Sequence, residues 1–227
     1  MKFKNVVIVF SLVLAVECFA NIYGLYRLQF FSKPALMLIL INYFVSKMKP
    51  FPRLRYFLAA ALAFSWIGDV FLLVEKQNRS LFVYGLISFL AAHICYVLYF
   101  WLVGDINREA HRLNGKFTFG IIFYSILFYI AVFPFLGEMK VPVLIYSVVI
   151  SLMLISSFHA FDSQESEFAK MCLSGTLLFV LSDSILAVNR FVFPLPLGSV
   201  FVMITYALGQ LLITEGSIRN MSKLSDC

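Results

Sequence analysis

The sequence predicts an all-α integral membrane protein: a bundle of eight transmembrane helices forming a single polytopic domain over residues 1–227. Three observations carry that reading. The chain is 62% hydrophobic and only 13% charged, which leaves too little polar surface for a soluble domain of this length. Apolar runs of about 20 residues, the length a helix needs to cross a bilayer, recur along the whole chain. These runs lack the strict alternation of barrel strands, so helices must satisfy the backbone inside lipid.

The first run follows Lys2 and Lys4 and ends near Cys18-Phe19-Ala20, the outline of a cleavable leader. Glu17 beside the apparent cut and a second apolar run close behind favour a retained first helix, from about Asn5 to Tyr23. Helix two is expected from Lys33-Pro34 to about Val45, with proline at a first helical position where its missing N–H costs nothing. The basic stretch Lys47 to Arg55, broken by Pro50 and Pro52, reads as a loop. Helix three spans about Tyr56 to Val74 and carries Asp69. Helix four, about Leu81 to Val103, carries His93 with Phe89, Tyr96 and Phe100 on its face. A polar loop, Asp105 to Lys116, leads to helix five at about Phe117 to Phe135 and helix six at about Val141 to Phe158. After an acidic loop with Asp162, Glu165 and Glu167, helix seven runs from about Ala169 to Phe191 and carries Asp183. Pro194 and Pro196 separate it from helix eight, about Leu197 to Glu215.

An even number of spans puts both termini on one side. That side holds 12 of the 18 Lys and Arg residues, against 6 opposite, so the excess of basic residues on cytoplasmic loops places both termini in the cytoplasm of a bacterial-type inner or plasma membrane. The net charge of +6 is thus a topology signal with some attraction for anionic lipid headgroups, and it points away from nucleic acid. Cys18, Cys95 and Cys172 lie in apolar runs and no Cys-x-x-Cys pair occurs, so the cysteines read as apolar filler.

Within the spans the polar residues are few and therefore informative: Glu17, Asp69, His93, Asp183, Asn189 and Gln210, with Lys33 and Arg190 near expected helix ends. A charge at bilayer depth costs about 2.5 to 3.5 kcal/mol on insertion scales, so such residues face the bundle interior and mark functional sites. Each also has a plainer reading. Asp69 and Asp183 serve equally as buried structural carboxylates, His93 as a neutral histidine with one hydrogen bond, and Lys33 and Arg190 as snorkelling anchors. Tyr206 and Gln210, four residues apart on one helix face, also suit helix–helix glue. A short echo between Gly68–Val74 and Ser182–Val188 would make the protein a 4+4 parallel repeat, with the two aspartates at equivalent depths.

No Gly-x-Ser-x-Gly elbow, His-Glu-x-x-His pair or phosphate-cradling glycine loop occurs. His93, His111 and His159 fall in a mid-helix position, a loop and a helix end, which disfavours a three-histidine zinc site. Acid–base chemistry by two aspartates in a dry site remains, without a cofactor or metal. Burial penalises the charged form of a carboxyl, and a second carboxylate nearby penalises it further. Such a pair suits protonating one atom while stabilising a cation or activating water.

Several motifs in order then carry a resemblance: Lys33-Pro34; Gly68-Asp69-Val70-Phe71-Leu72-Leu73; Phe89 through His93 to Tyr96 and Phe100; Leu181-Ser182-Asp183-Ser184 leading to Asn189-Arg190-Phe191; and Tyr206 with Gln210. Over nearly its whole length the chain resembles the YhhN-like integral membrane proteins, the lysoplasmalogenase family. The resemblance implies hydrolysis of the vinyl ether bond of lysoplasmalogens, a lysophospholipid substrate, to a fatty aldehyde and glycerophosphocholine or glycerophosphoethanolamine. It further implies Asp69 and Asp183 as the catalytic carboxylates. His93, Tyr206, Gln210 and Asn189 would bind water or substrate, and Lys33 and Arg190 the phosphate. The chemistry is close to glycoside hydrolysis by two carboxylates. Two readings compete: a small-molecule or lipid transporter using the carboxylates as a proton relay, and a metal-dependent lipid hydrolase with Asp69, Asp183 and His93 as ligands.

Overall fold

A computed structural model describes residues 2–47, 52–74, 81–106, 114–161 and 166–225. Among the described residues every regular element is helical, and eight helices are long and apolar enough to cross a membrane. They are α1 (Phe3–Ile22), α2 (Tyr26–Ser46), α3 (Pro52–Val74), α4 (Leu81–Ile106), α5 (Gly115–Val132), α6 (Lys140–His159), α7 (Glu167–Ala187) and α8 (Gly198–Ser225). Two 3₁₀ turns, Phe133–Phe135 and Gly137–Met139, join α5 to α6, and a π-helical segment, Val188–Val192, extends α7.

The chain divides into two compact units, Met1–Cys95 with Ile218–Cys227, and Tyr96–Ser217. In the first, α1 packs on α2 and α2 on α3. The turn between α1 and α2 explains why α2 begins at Tyr26 rather than at Lys33-Pro34. Gly24 takes the left-handed conformation, φ +65°, while the Leu25 N–H bonds to the Ala20 carbonyl at 2.8 Å and the Gly24 N–H to that of Asn21 at 3.4 Å. This is a glycine stop of the Schellman type. It reverses the chain within three residues and lets a helix restart at once. Pro34 consequently lies inside α2, where it withholds the N–H that would bond to the Phe30 carbonyl. On α3, a Cβ at Gly68 would stand 2.7 Å from the Phe89 ring, and one at Gly85 2.9 Å from Leu72. Glycine at these positions therefore allows α3 and α4 their close antiparallel contact.

In the second unit α5, α6 and α7 pack in sequence. Phe117 stacks on Phe158 at 3.7 Å, and Ser125 and Ser151 share a hydrogen bond of 2.6 Å across the α5–α6 hairpin. Helices α7 and α8 meet backbone to backbone: a Cβ on Gly175 would come within 2.7 Å of the Gly209 carbonyl, and one on Gly209 within 2.8 Å of the Gly175 carbonyl. Small residues at a crossing are how membrane helices gain van der Waals contact when lipid offers no hydrophobic drive. Helix α8 runs ten residues beyond the expected end at Glu215, and it buries Gln210, Thr214 and Glu215.

Candidate functional site

The two aspartates stand in different units, each with its own partner. In the first unit Asp69 is 2% exposed, and its Oδ1 lies 3.7 Å from the Lys33 ammonium. Lys33 is two turns inside α2, because that helix starts at Tyr26. Its expected place at a helix end is therefore corrected, and its charge is directed to Asp69. On the residue before it, the Ser32 hydroxyl donates to Glu17 Oε2 at 2.5 Å. Glu17, on α1, is 1% exposed. Three successive helices thus contribute two carboxylates, one ammonium and one hydroxyl to a buried polar cluster. His93, on α4, is fully buried, one turn beyond the Phe89 ring that fills the space at Gly68.

In the second unit Asp183 is half-buried and accepts a hydrogen bond of 2.7 Å from the Tyr146 hydroxyl on α6. Its neighbour Ser184 shares one of 2.8 Å with Tyr124 on α5. A separate cluster in this unit joins α4, α7 and α8. The Tyr96 hydroxyl donates to Gln210 Oε1 at 2.5 Å. The Phe179 ring packs edge-on to Tyr206 at 5.3 Å and to Tyr96 at 6.5 Å. Gln210 is fully buried and Tyr206 is 4% exposed. Asn189 and Arg190 fall in the π-helical segment, a form frequent at functional sites. The Asn189 side chain accepts from the Leu195 N–H at 2.8 Å, and a Cβ on Gly198 would strike it at 2.6 Å. Asn189 therefore fixes the turn into α8, whereas Arg190 beside it is exposed.

The clusters add residues that sequence reasoning missed. Tyr146 sits in the run Val143-Leu144-Ile145-Tyr146, where one tyrosine reads as an ordinary interfacial aromatic. Glu17 stood out as a buried acid, but its bond to Ser32 depends on the early start of α2. His159 accepts from the Asn114 backbone N–H at 2.9 Å through Nε2, which ties it to the start of α5, and His111 lies outside the described residues. Among the described residues no group of three His, Cys, Asp or Glu side chains could hold a metal ion. The chemistry available is that of carboxylates with an ammonium, phenols and an amide as partners.

Eight membrane-length helices that keep carboxylates, a histidine and an amide out of contact with solvent define a multi-pass membrane protein with polar sites inside its spans. The chain belongs to the YhhN family, whose model matches residues 28–217. It is 27% identical over 169 residues to human lysoplasmalogenase TMEM86A, a match that covers 70% of this chain and 64% of the relative. It is 28% identical over 188 residues to rat lysoplasmalogenase TMEM86B, covering 83% and 71%. With a lysoplasmalogenase of Mycobacterium tuberculosis it shares 28% over 171 residues, covering 74% and 62%. The chain thus spans a little under two thirds of the human and mycobacterial relatives. No solved structure matches it.

Proposed function

We propose that this chain is a membrane hydrolase that cleaves the vinyl ether bond of lysoplasmalogens, with Asp69 and Asp183 as its catalytic carboxylates. The observation that carries the reading is the shared name of its relatives, lysoplasmalogenase, in organisms as distant as human and Mycobacterium tuberculosis. The chemistry asks for a proton donor to the alkene carbon remote from the ether oxygen and a negative charge to steady the oxocarbenium-like cation that follows. Water adds to that cation and returns a proton to a carboxylate. The hemiacetal then collapses to a fatty aldehyde and glycerophosphocholine or glycerophosphoethanolamine. Each aspartate is a candidate for either part, donating the proton or bearing the charge and orienting the water, as carboxylates do in glycoside hydrolysis.

Other residues take supporting parts. Gln210, Tyr206 and His93 are buried polar groups suited to holding water or the glycerol hydroxyl. Exposed Arg190, at the end of a span, suits the substrate phosphate, which stays at the interface while the single tail enters between helices. Asn189 presents Arg190 by fixing its turn, and Lys33 serves Asp69 instead of the phosphate. In this reading both termini face the cytoplasm of an inner or plasma membrane; a phosphatase fused after α8 that is active outside the cytoplasm would sink that orientation.

The experiment is aldehyde release from a defined lysoplasmalogen by detergent-purified protein, beside Asp69→Asn and Asp183→Asn, with and without chelator. Aldehyde from wild type alone, unaffected by chelator, supports the reading. Turnover within a few-fold of wild type in well-folded Asp69→Asn refutes the aspartate mechanism. If folded wild type gives no aldehyde but proteoliposomes show pH-dependent flux, a transporter takes its place.

A further inference from the structure

We propose that Glu17 is a positioning residue, which through Ser32 and its own charge holds the Lys33 ammonium against Asp69. The inference rests on the hydrolase reading for its kinetic consequences, and on geometry alone for its structural ones. Glu17 precedes residues 28–217, the part of the chain that matches the family, so its role has to be argued from this chain. It lies five residues before the end of α1 at Ile22 and is 1% exposed. A carboxylate kept at that depth needs compensation.

Two groups on α2 supply it. The Ser32 hydroxyl sits 2.5 Å from Glu17 Oε2 and 2.9 Å from the Leu28 carbonyl, which fixes the serine on its helix. Lys33, the next residue, stands 3.7 Å from Asp69 on the helix beyond. Helix α2, which carries both Ser32 and Lys33, packs against α1 and against α3. The Lys33 side chain is 14% exposed, so its head has little access to water as an alternative partner. Pro34 follows at once, and the helix there lacks the hydrogen bond that a backbone N–H would make. A long flexible side chain on such a segment needs a second anchor if it is to hold a catalytic carboxylate in one geometry, since sites fail when their supporting shell is loose. The sharp turn at Gly24 provides the rest, because it fixes α1 against α2 with Glu17 level with Ser32.

The plainer account is that Glu17 only glues α1 to α2. The two are separated by comparing Glu17→Gln, Glu17→Asp, Lys33→Gln and the double variant Glu17→Gln/Lys33→Gln. Steady-state aldehyde release is read alongside infrared spectra, in which the Asp69 carboxyl signal is identified by its loss in Asp69→Asn. Positioning predicts that Glu17→Gln lowers kcat by about tenfold or more with KM little changed, the scale of losing a hydrogen bond to a charged group. Glu17→Asp restores most of the rate, and Glu17→Gln costs nothing further once Lys33 is Gln. The Asp69 signal shifts in Glu17→Gln. An unchanged kcat, an effect on KM alone, or an undiminished effect in the Lys33→Gln background overturns the inference. If wild type releases no aldehyde, the hydrolase reading fails, and the infrared arm alone decides: an Asp69 signal unmoved by Glu17→Gln overturns the inference and a shifted one supports it. Should Glu17→Gln not fold, Ser32→Ala, which removes the hydroxyl that ties Glu17 to α2, is read the same way in the infrared.

Discussion

Replacing Lys33 by methionine removes the ammonium while keeping a long apolar stem. Asp69 is 2% exposed and the Lys33 side chain 14%, so water screens the pair only slightly. At 3.7 Å, two opposite charges in surroundings of effective dielectric ~20 attract by about 4 kcal/mol. Removing one member of a buried pair typically costs about 3 to 5 kcal/mol, whereas replacing both members is close to neutral. Lys33→Met is thus expected to lower the melting temperature by roughly 10 °C, at the few degrees per kcal/mol usual for a chain of this length. Lys33→Met/Asp69→Asn is expected to recover at least half of that loss, and the share still missing belongs to Glu17. The assay is thermal unfolding of purified protein in one detergent, for wild type, the two single variants and the double. If Lys33→Met melts with wild type, or if Asp69→Asn lowers it further, the charges do not hold each other and the cluster is misread.

Two further outcomes follow from contacts in the second unit. Tyr146→Phe removes only the hydroxyl that donates to Asp183 at 2.7 Å; kcat for aldehyde release should fall about tenfold to a hundredfold with folding retained, and turnover within twofold of wild type would free Asp183 of that partner. Gly209→Val places side-chain atoms where a Cβ alone would already be 2.8 Å from the Gly175 carbonyl. Backbone cannot give way there, so the variant should lose its monodisperse peak in size-exclusion chromatography, while Gly120→Val, at a position with open space around it, keeps it.

The number and order of the spans were legible because bilayer thickness imposes its own ruler: an apolar run of about 20 residues has few other uses. Boundaries were less so. The residues from Tyr26 to Ser32 fell between the expected end of helix one and the expected start of helix two at Lys33-Pro34, yet they are helical. In a membrane protein the cost of polar groups is met by tertiary partners rather than by the end of the helix. Lys33 illustrates this, since its apparent role as an interfacial anchor vanished once α2 reached back to Tyr26 and its charge met Asp69. Asp69, Asp183, Gln210 and Tyr206 were visible individually because polar residues in apolar runs are rare. Their partners were not, since Tyr96 and Gln210 are 114 residues apart and only packing can join them. Tyr146 was invisible for the opposite reason, as one tyrosine in an aromatic-rich chain carries no signal.

The irregular backbone and the polar residues also fall together, and one cause accounts for both. Lys33 and Ser32 immediately precede Pro34, where α2 lacks one internal hydrogen bond. Asn189 and Arg190, six and seven residues after Asp183, occupy the π-helical segment that extends α7. A break in a membrane helix leaves backbone groups that lipid cannot satisfy, so it is tolerated only where protein groups surround it. A side chain that must carry charge inside the membrane needs those same surroundings. The two demands select the same places, and the sequence signal for each therefore strengthens the other. A proline or a cluster of polar residues in an apolar run is ambiguous alone, but Lys33-Pro34 facing Asp69, and Asp183 leading into Asn189-Arg190, mark where this chain departs from simple spanning helices and where its chemistry is to be tested.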